Sequence, residues 1–256
     1  MMTLLRRKLR KFVPSFFLKE PTPRPEYAFY QTYKSIADPV YHPNLDNTEM
    51  GADIRKVKQD IETEMYHDPY ARSILYSFAK QSLLAKGDFI ECGVHHGGGS
   101  HTMAFVLDRF AKTRIMWCFD SFQGFSKPCE KDLEVTSNKQ FFREFDLNNT
   151  SVELVKKTLN QHQCPIKIVQ GWIPNTFDAI KDRTFCCAHI DVDLYDPILE
   201  SVKFLYPRMS KGGIMIFDDY GFPMCPGARQ AVDEYFQDKK ETVIAFPTGQ
   251  SIVIKS

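Results

Sequence analysis

None of the seven cysteines is spaced as CxxC, and their odd number does not describe a disulfide framework. Cys92, Cys118, Cys186 and Cys187 fall inside apolar runs. They read as reduced core thiols of a cytosolic protein, and no zinc site is expected. Long apolar runs are also missing, since none approaches the ~20 residues that span a bilayer. An excess of one charge is missing too: 33 Lys and Arg stand against 32 Asp and Glu, for a formal net charge of +1. That balance gives no general reason to expect nucleic acid, which would favour a clustered basic surface. What is present is ordinary for a globular chain of 256 residues, with 43% hydrophobic and 25% charged residues.

The chain opens on MMTLLRRKLRKFVPSFFL, which has the positive charge of a signal peptide without its continuous apolar core or cleavage site. Leu4, Leu5, Leu9, Phe12 and Val13 lie at helical spacings among Arg6, Arg7, Lys8, Arg10 and Lys11. Two readings stay open: a basic tail, or a helix resting on the inner membrane surface of an otherwise cytoplasmic protein. Residues 20–48 are rich in proline and aromatics and read as an irregular arm. Helices are expected over 53–65 and 69–85.

Beyond that point strands and helices alternate. Strands are expected at 89–94, 114–119, 166–170, 185–191, 213–218, 241–246 and 251–255, several of them unbroken apolar runs suited to a sheet covered on both faces. Helices fit 151–161 and 196–206, the second with Asp196 as its cap. The alternation implies a mainly parallel sheet with right-handed crossovers. Only PTGQ joins the last two strands, so that pair must be antiparallel.

The stretch ECGVHHGGGS, residues 91–100, joins the first of these strands to a helix through a glycine-rich turn. It is not a dinucleotide fingerprint, because residue 95 is histidine where GxGxxG needs its second glycine. Nor is it a phosphate loop. Gly93 and Gly98 have the spacing, but Gly99 stands where the lysine would be. Glu91 would repel phosphate, whereas an acid there suits a cation or ribose hydroxyls. Asp120, at the end of the second strand in WCFDSF, is where nucleoside-binding α/β folds place a ribose acceptor. Both fit S-adenosylmethionine, which has a ribose, an ammonium group and a sulfonium and no phosphate.

Further carboxylates close the next two strands. AHIDVDLYDP puts Asp191 at one end and IMIFDDYG puts Asp218 and Asp219 at the other. Two carboxylates 4 Å apart repel by about 4 kcal/mol at an effective dielectric of 20. An all-oxygen set of this kind favours Mg²⁺ or another hard divalent ion. The alternative is that the aspartates serve as turn and capping residues. His189, two residues before Asp191, reads as a buried structural residue.

Together GDFIECGVHHGGGS, CFDSFQGF, IVQGWIPNTF, HIDVDLYDP, LYPRMSKGGIMIFDDYG and FPTGQSIVIK resemble, in order, the macrocin O-methyltransferase (TylF-like) family. The resemblance covers roughly residues 70–256. It implies a Rossmann-like class I methyltransferase fold, α/β, with a seven-stranded, mostly parallel sheet and an antiparallel last strand. By the same resemblance residues 61–256 form the S-adenosylmethionine-dependent domain, and 1–60 an extension and lid. It assigns methyl-donor contacts to Glu91, Gly93 and Ser100 in the first loop, Asp120 and Ser121 after the second strand, and Gly171 and Trp172 beside the adenine. It assigns Mg²⁺ to Asp191, Asp218 and Asp219, with Asp191 as general base. The chain departs from the family at His95-His96, where a Trp-Arg pair is common. The acceptor implied is a hydroxyl-bearing small molecule or glycan, with no nucleic-acid partner. A homo-oligomer is left open. A nicotinamide-dependent dehydrogenase, a metal-dependent phosphoesterase and a non-catalytic relative remain the competing readings. The first lacks its glycine fingerprint, and the second leaves Glu91 and Asp120 without a task.

Overall fold

The computed structural model describes residues 52, 53, 56, 69–133, 139, 141, 142 and 147–256. The basic N-terminus, the proline-rich arm and most of the helix expected over 53–65 lie outside the described residues. No helix among the described residues is long and apolar enough to cross a membrane.

Helix α1 (Pro69–Ser82) precedes strand β1 (Asp88–Cys92), which is followed by α2 (Gly98–Phe110) and β2 (Met116–Asp120). Then come α3 (Val152–Leu159), β3 (Ile166–Gln170), β4 (Phe185–Ile190) and α4 (Tyr195–Leu205). The chain ends with β5 (Met209–Phe217), α5 (Pro226–Phe236), β6 (Ile244–Ala245) and β7 (Ser251–Ile254). The seven strands form one sheet in the order β3-β2-β1-β4-β5-β7-β6. All pairings from β3 to β5 are parallel, and β7 runs antiparallel to both β5 and β6. That is the class I methyltransferase arrangement, and the PTGQ hairpin supplies its reversed strand.

Alternation along each strand explains why helices cover both faces. Phe89, Met116, Ile216 and Ile252 point into a core shared with Leu75, Tyr76, Met103 and Leu107 of α1 and α2. Their chain neighbours Ile90, Trp117, Phe217 and Val253 point the other way, into Ile198, Val202, Val232 and Phe236 of α4 and α5. A period of two across the sheet thus meets a period of about 3.6 along each helix. The four cysteines read as core residues are buried and unpaired, as their apolar neighbours imply.

Two local expectations are corrected, and one helix is added. Asp196 does not cap α4: Leu194 is the N-cap residue, without a side-chain bond, and Asp196 lies within the first turn, where its charge still suits the helix dipole. Helix α5 is not among the helices expected above, and it opens on Pro226 and Gly227, residues that favour a turn locally. Proline suits the first helical turn, and Gly227 is required because Asp132 Oδ1 lies only 2.0 Å from where its Cβ would be. The strand expected over 241–246 is paired only at Ile244 and Ala245, on the sheet edge.

The sheet order reverses between β1 and β4. Successive strands step outward from β1 to β3 on one side, and the chain then returns to place β4 on the other. Ligands of such sheets bind beyond the strand ends at that reversal. Gly93, Asp120, Asp191 and Asp218 all leave the sheet there.

Candidate active site

The glycine loop is built around close approaches. Gly93 has φ +87°, its N–H donates to the Phe119 carbonyl at 2.8 Å, and a Cβ on it would fall 1.7 Å from the Asp191 carbonyl oxygen. No side chain fits where the exits of β1 and β4 touch. Gly99 answers why the phosphate-loop lysine is absent: a Cβ there would lie 1.9 Å from Oε1 of Glu91. The space beneath the first turn of α2 belongs to the protein's own carboxylate.

Glu91 is 1% exposed, and protein partners meet both of its oxygens. Ser100 donates its hydroxyl to Oε2, and Nδ1 of His189 lies 2.8 Å from Oε1. Both oxygens of Glu91 are thus already engaged by the protein in this structure. The residue forms the floor of the loop, because Glu91 and His189 are register partners on adjacent parallel strands. Ser100, also buried, shares that floor. The second ring nitrogen of His189 lies 3.4 Å from Oδ1 of Asp218. Burial works against charge on the ring, but the hydrogen bonds and charges of Asp218 and Glu91 raise its pKa to about 10. Burial in turn pushes the Glu91 carboxyl above its usual range against the hydrogen bonds of His189 and Ser100, so the two buried groups hold their proton between them.

Asp120 ties β2 to the loop. Its Oδ2 accepts from the backbone N–H groups of Val94 (2.7 Å) and His95 (2.8 Å), and its Oδ1 accepts from Phe122 (2.6 Å). The Ser121 hydroxyl accepts from the Gln123 N–H at 3.0 Å and donates to the Gly124 carbonyl at 3.3 Å. At the end of β3, Gly171 has φ +138° and donates to the Asp120 carbonyl at 2.8 Å. The Trp172 indole beside it stands partly in solvent, at 36% exposure. Gly93, Asp120, Ser121, Gly171 and Trp172 thus rim the ends of three adjacent strands. The stacked rings of His95 and His96 lean on Asn149 from the outer side of the loop, at 2.8 Å to its Oδ1 and 2.9 Å to its carbonyl.

Across the reversal, carboxylate oxygens of Asp191, Asp218 and Asp219 lie within 4.8 Å of one another. Asp219 is 7% exposed, and its carboxyl is pushed well above the usual range, first by burial and then by the charges of Asp193, Asp191 and Asp218. Asp191, Asp193 and Asp218 all bear on Asp219 as like charges, so the group is one that a cation would relieve. That mutual repulsion and the all-oxygen donor set fit a hard divalent ion. Asp193, Asp219 and Cys225 also come within 4.8 Å of one another. Burial raises the Cys225 thiol well above its ordinary value, and the sulfur lies 3.4 Å from Oδ1 of Asp193 as a hydrogen-bond donor. Sulfur is a soft donor that matches a hard ion poorly, so the three-aspartate set is the better match.

Two participants escaped the sequence reading. Gln250, 1% exposed, donates from Nε2 to Oδ1 of Asp218 at 2.7 Å. It reads in the sequence as a hairpin residue, and only the antiparallel return of β7 beside β5 brings it to Asp218. His189 was read as buried and structural. Its burial is as expected, but its bridge from Glu91 to Asp218 depends on strand register, which no local pattern fixes.

A model of the macrocin-O-methyltransferase (TylF) family matches residues 78–245. The chain is 31% identical over 153 residues to demethyldecarbamoylnovobiocin O-methyltransferase of Streptomyces niveus, covering 58% of each. It is 28% identical over 153 residues, again 58% of each, to the 8-demethyl-8-(2,3-dimethoxy-alpha-L-rhamnosyl)-tetracenomycin-C 4'-O-methyltransferase of Streptomyces olivaceus. The chain therefore spans a little over half the length of these curated relatives. Among solved structures, a calicheamicin methyltransferase superposes with a TM-score of 0.63 at 17% identity, covering 91% of this chain and 94% of its own. That likeness is one of fold.

Proposed function

The chain belongs to the macrocin-O-methyltransferase (TylF) family, and on that premise we propose that it transfers a methyl group from S-adenosylmethionine to a hydroxyl of a sugar-containing or other vicinal-diol acceptor, either a small molecule or a glycan. The observation that carries the reading is the cluster of Asp191, Asp218 and Asp219 beside the glycine loop. The rhamnosyl group in the name of the Streptomyces olivaceus relative supports a sugar hydroxyl as the acceptor.

When bound, the donor supplies a methyl group already activated by its sulfonium, and a divalent ion such as Mg²⁺ supplies positive charge that acidifies a hydroxyl. The remaining work falls to this chain's side chains. A carboxylate offers about four acceptor positions. Asp120 uses three on backbone N–H groups, which leaves one for a ribose hydroxyl. The exposed Trp172 indole, held by the turn at Gly171, flanks the adenine. Gly93 lets the donor approach the backbone, and Ser121 lines the same rim. Glu91 and Ser100 form the floor of the loop on which the donor rests. Asp191, Asp218 and Asp219 hold the cation. Asp191, partly exposed at the end of β4, also takes the acceptor proton as general base. Alignment of the two substrates is the larger contribution, since well-oriented reactants save about 7–11 kcal/mol of the barrier.

The test is transfer of labelled methyl from S-adenosylmethionine into small glycosides and glycan fractions, with Mg²⁺ or with EDTA. Incorporation that needs Mg²⁺ is expected. Full incorporation in chelator would remove the cation from the account, and transfer only into nucleic acid would remove the acceptor class.

A further inference from the structure

A buried polar chain runs from the first turn of α2 to the end of β5. Ser100 donates to Glu91, Glu91 meets Nδ1 of His189 at 2.8 Å, and Nε2 of His189 meets Oδ1 of Asp218 at 3.4 Å. Ser100, Glu91 and His189 are all 1% exposed or less, enclosed by the protein between the loop and the aspartates. Gly99 rides on the pair, since a Cβ there would lie 1.9 Å from Oε1 of Glu91 and 3.2 Å from Nδ1 of His189. The same two side chains therefore set the height of the loop's last turn and the angle of a cation-binding carboxylate.

We propose that His189 is a positioning residue that couples the glycine loop to the cation-binding aspartates, so that donor and divalent cation bind with positive linkage. The inference rests on the function proposed above. Groups behind a metal ligand fix its orientation and tune its affinity. Here the group behind Asp218 is locked on its far side to the floor of the donor loop. An ion that orders Asp218 orders His189 and Glu91, and through them Gly99 and Ser100. The reverse holds for a donor that settles the loop, because linkage between two binding sites is reciprocal. Gln250 provides a contrast. It holds the same Asp218 oxygen, yet among the described residues its side chain otherwise bonds only Thr248 in its own hairpin.

The experiment is titration of S-adenosylhomocysteine into the full chain with saturating Mn²⁺ or with chelator, paired with titration of Mn²⁺ with and without S-adenosylhomocysteine. The thioether product carries no sulfonium, so direct repulsion from the ion does not mask the linkage. In the wild type each ligand should tighten the other by the same factor, at least about fivefold. His189→Gln should bring that factor to within about twofold of unity. Gly99→Ala should do so from the loop side, and it decides the matter where the buried histidine variant does not fold. Gln250→Leu should weaken Mn²⁺ while leaving the factor in place. A wild-type factor of one, or an undiminished factor in the folded His189→Gln and Gly99→Ala proteins, overturns the coupling. Wild-type protein that binds neither ligand sinks the donor and cation reading itself, and the coupling with it.

Discussion

The contact between Gly93 and the end of β4 gives a prediction with a built-in control. An alanine Cβ at residue 93 would sit 1.7 Å from the Asp191 carbonyl oxygen and 2.6 Å from its carbonyl carbon. Ordinary contact begins at 3.4 Å, so the Asp191 backbone would have to yield by about 1.7 Å. The backbone is also left-handed there, at φ +87°. Left-handed strain costs about 1–2 kcal/mol for a residue with a side chain, and overpacking adds about 1–3 kcal/mol. Gly212 has a similar φ of +80°, but the nearest atom to its would-be Cβ is Ala85 Cβ at 3.9 Å. Gly212→Ala therefore carries the strain without the clash. Urea unfolding should show Gly93→Ala to be the more damaging by about 1–3 kcal/mol, or roughly 2–12 °C in Tm for a chain of this size. The Gly93 variant alone should weaken Mn²⁺, because the residue it displaces is a proposed ligand. Equal losses in the two variants, within about 0.5 kcal/mol, would refute the claim that a close strand approach builds this loop.

Other perturbations separate the roles of neighbouring groups. Asp191→Asn should lose nearly all turnover while keeping its affinity for S-adenosylhomocysteine; near wild-type turnover would mean Asp191 is neither base nor essential ligand. Asp219 has a raised folded pKa, caused first by burial and then by Asp193, Asp191 and Asp218. Its contribution to stability is full below the ordinary carboxylate pKa and is lost as pH rises through the folded value. In chelator at neutral pH, Asp219→Asn should therefore raise Tm while abolishing the stabilisation given by Mn²⁺; a lower Tm would show that the aspartates do not repel one another. Trp172→Ala should weaken S-adenosylhomocysteine by about 1–3 kcal/mol, the scale of base stacking on an aromatic ring, without changing Mn²⁺ affinity. Unchanged binding would place the adenine elsewhere.

The sequence carried the sheet because its strands are apolar runs bounded by turns, and because PTGQ is too short for a crossover. The aspartate cluster was readable for a related reason. Residues just past the ends of neighbouring parallel strands converge, so Asp191, Asp218 and Asp219 could be brought together without knowing a single contact. Glu91 could not be placed that way. As a sequence position it looks like a ligand acceptor, but its face and partner follow from its pairing opposite His189, and register is a property of the assembled sheet. Gln250 is the same kind of case, since β7 meets β5 only through the reversed final strand. Helix α5 was hidden by Pro226 and Gly227, which favour a turn locally. Its packing on Asp132 and Tyr195, long-range in sequence, makes the glycine necessary.

The central claim is that the three aspartates at the ends of β4 and β5 hold a hard cation beside the donor loop. A crystal structure with Mn²⁺ and S-adenosylhomocysteine, read by anomalous scattering, tests it most directly. The account predicts one peak about 2.1 Å from oxygens of Asp191, Asp218 and Asp219, with the adenine against Trp172. A peak on Asp193 and Cys225 instead, or no peak between the three carboxylates at saturating Mn²⁺, would contradict it.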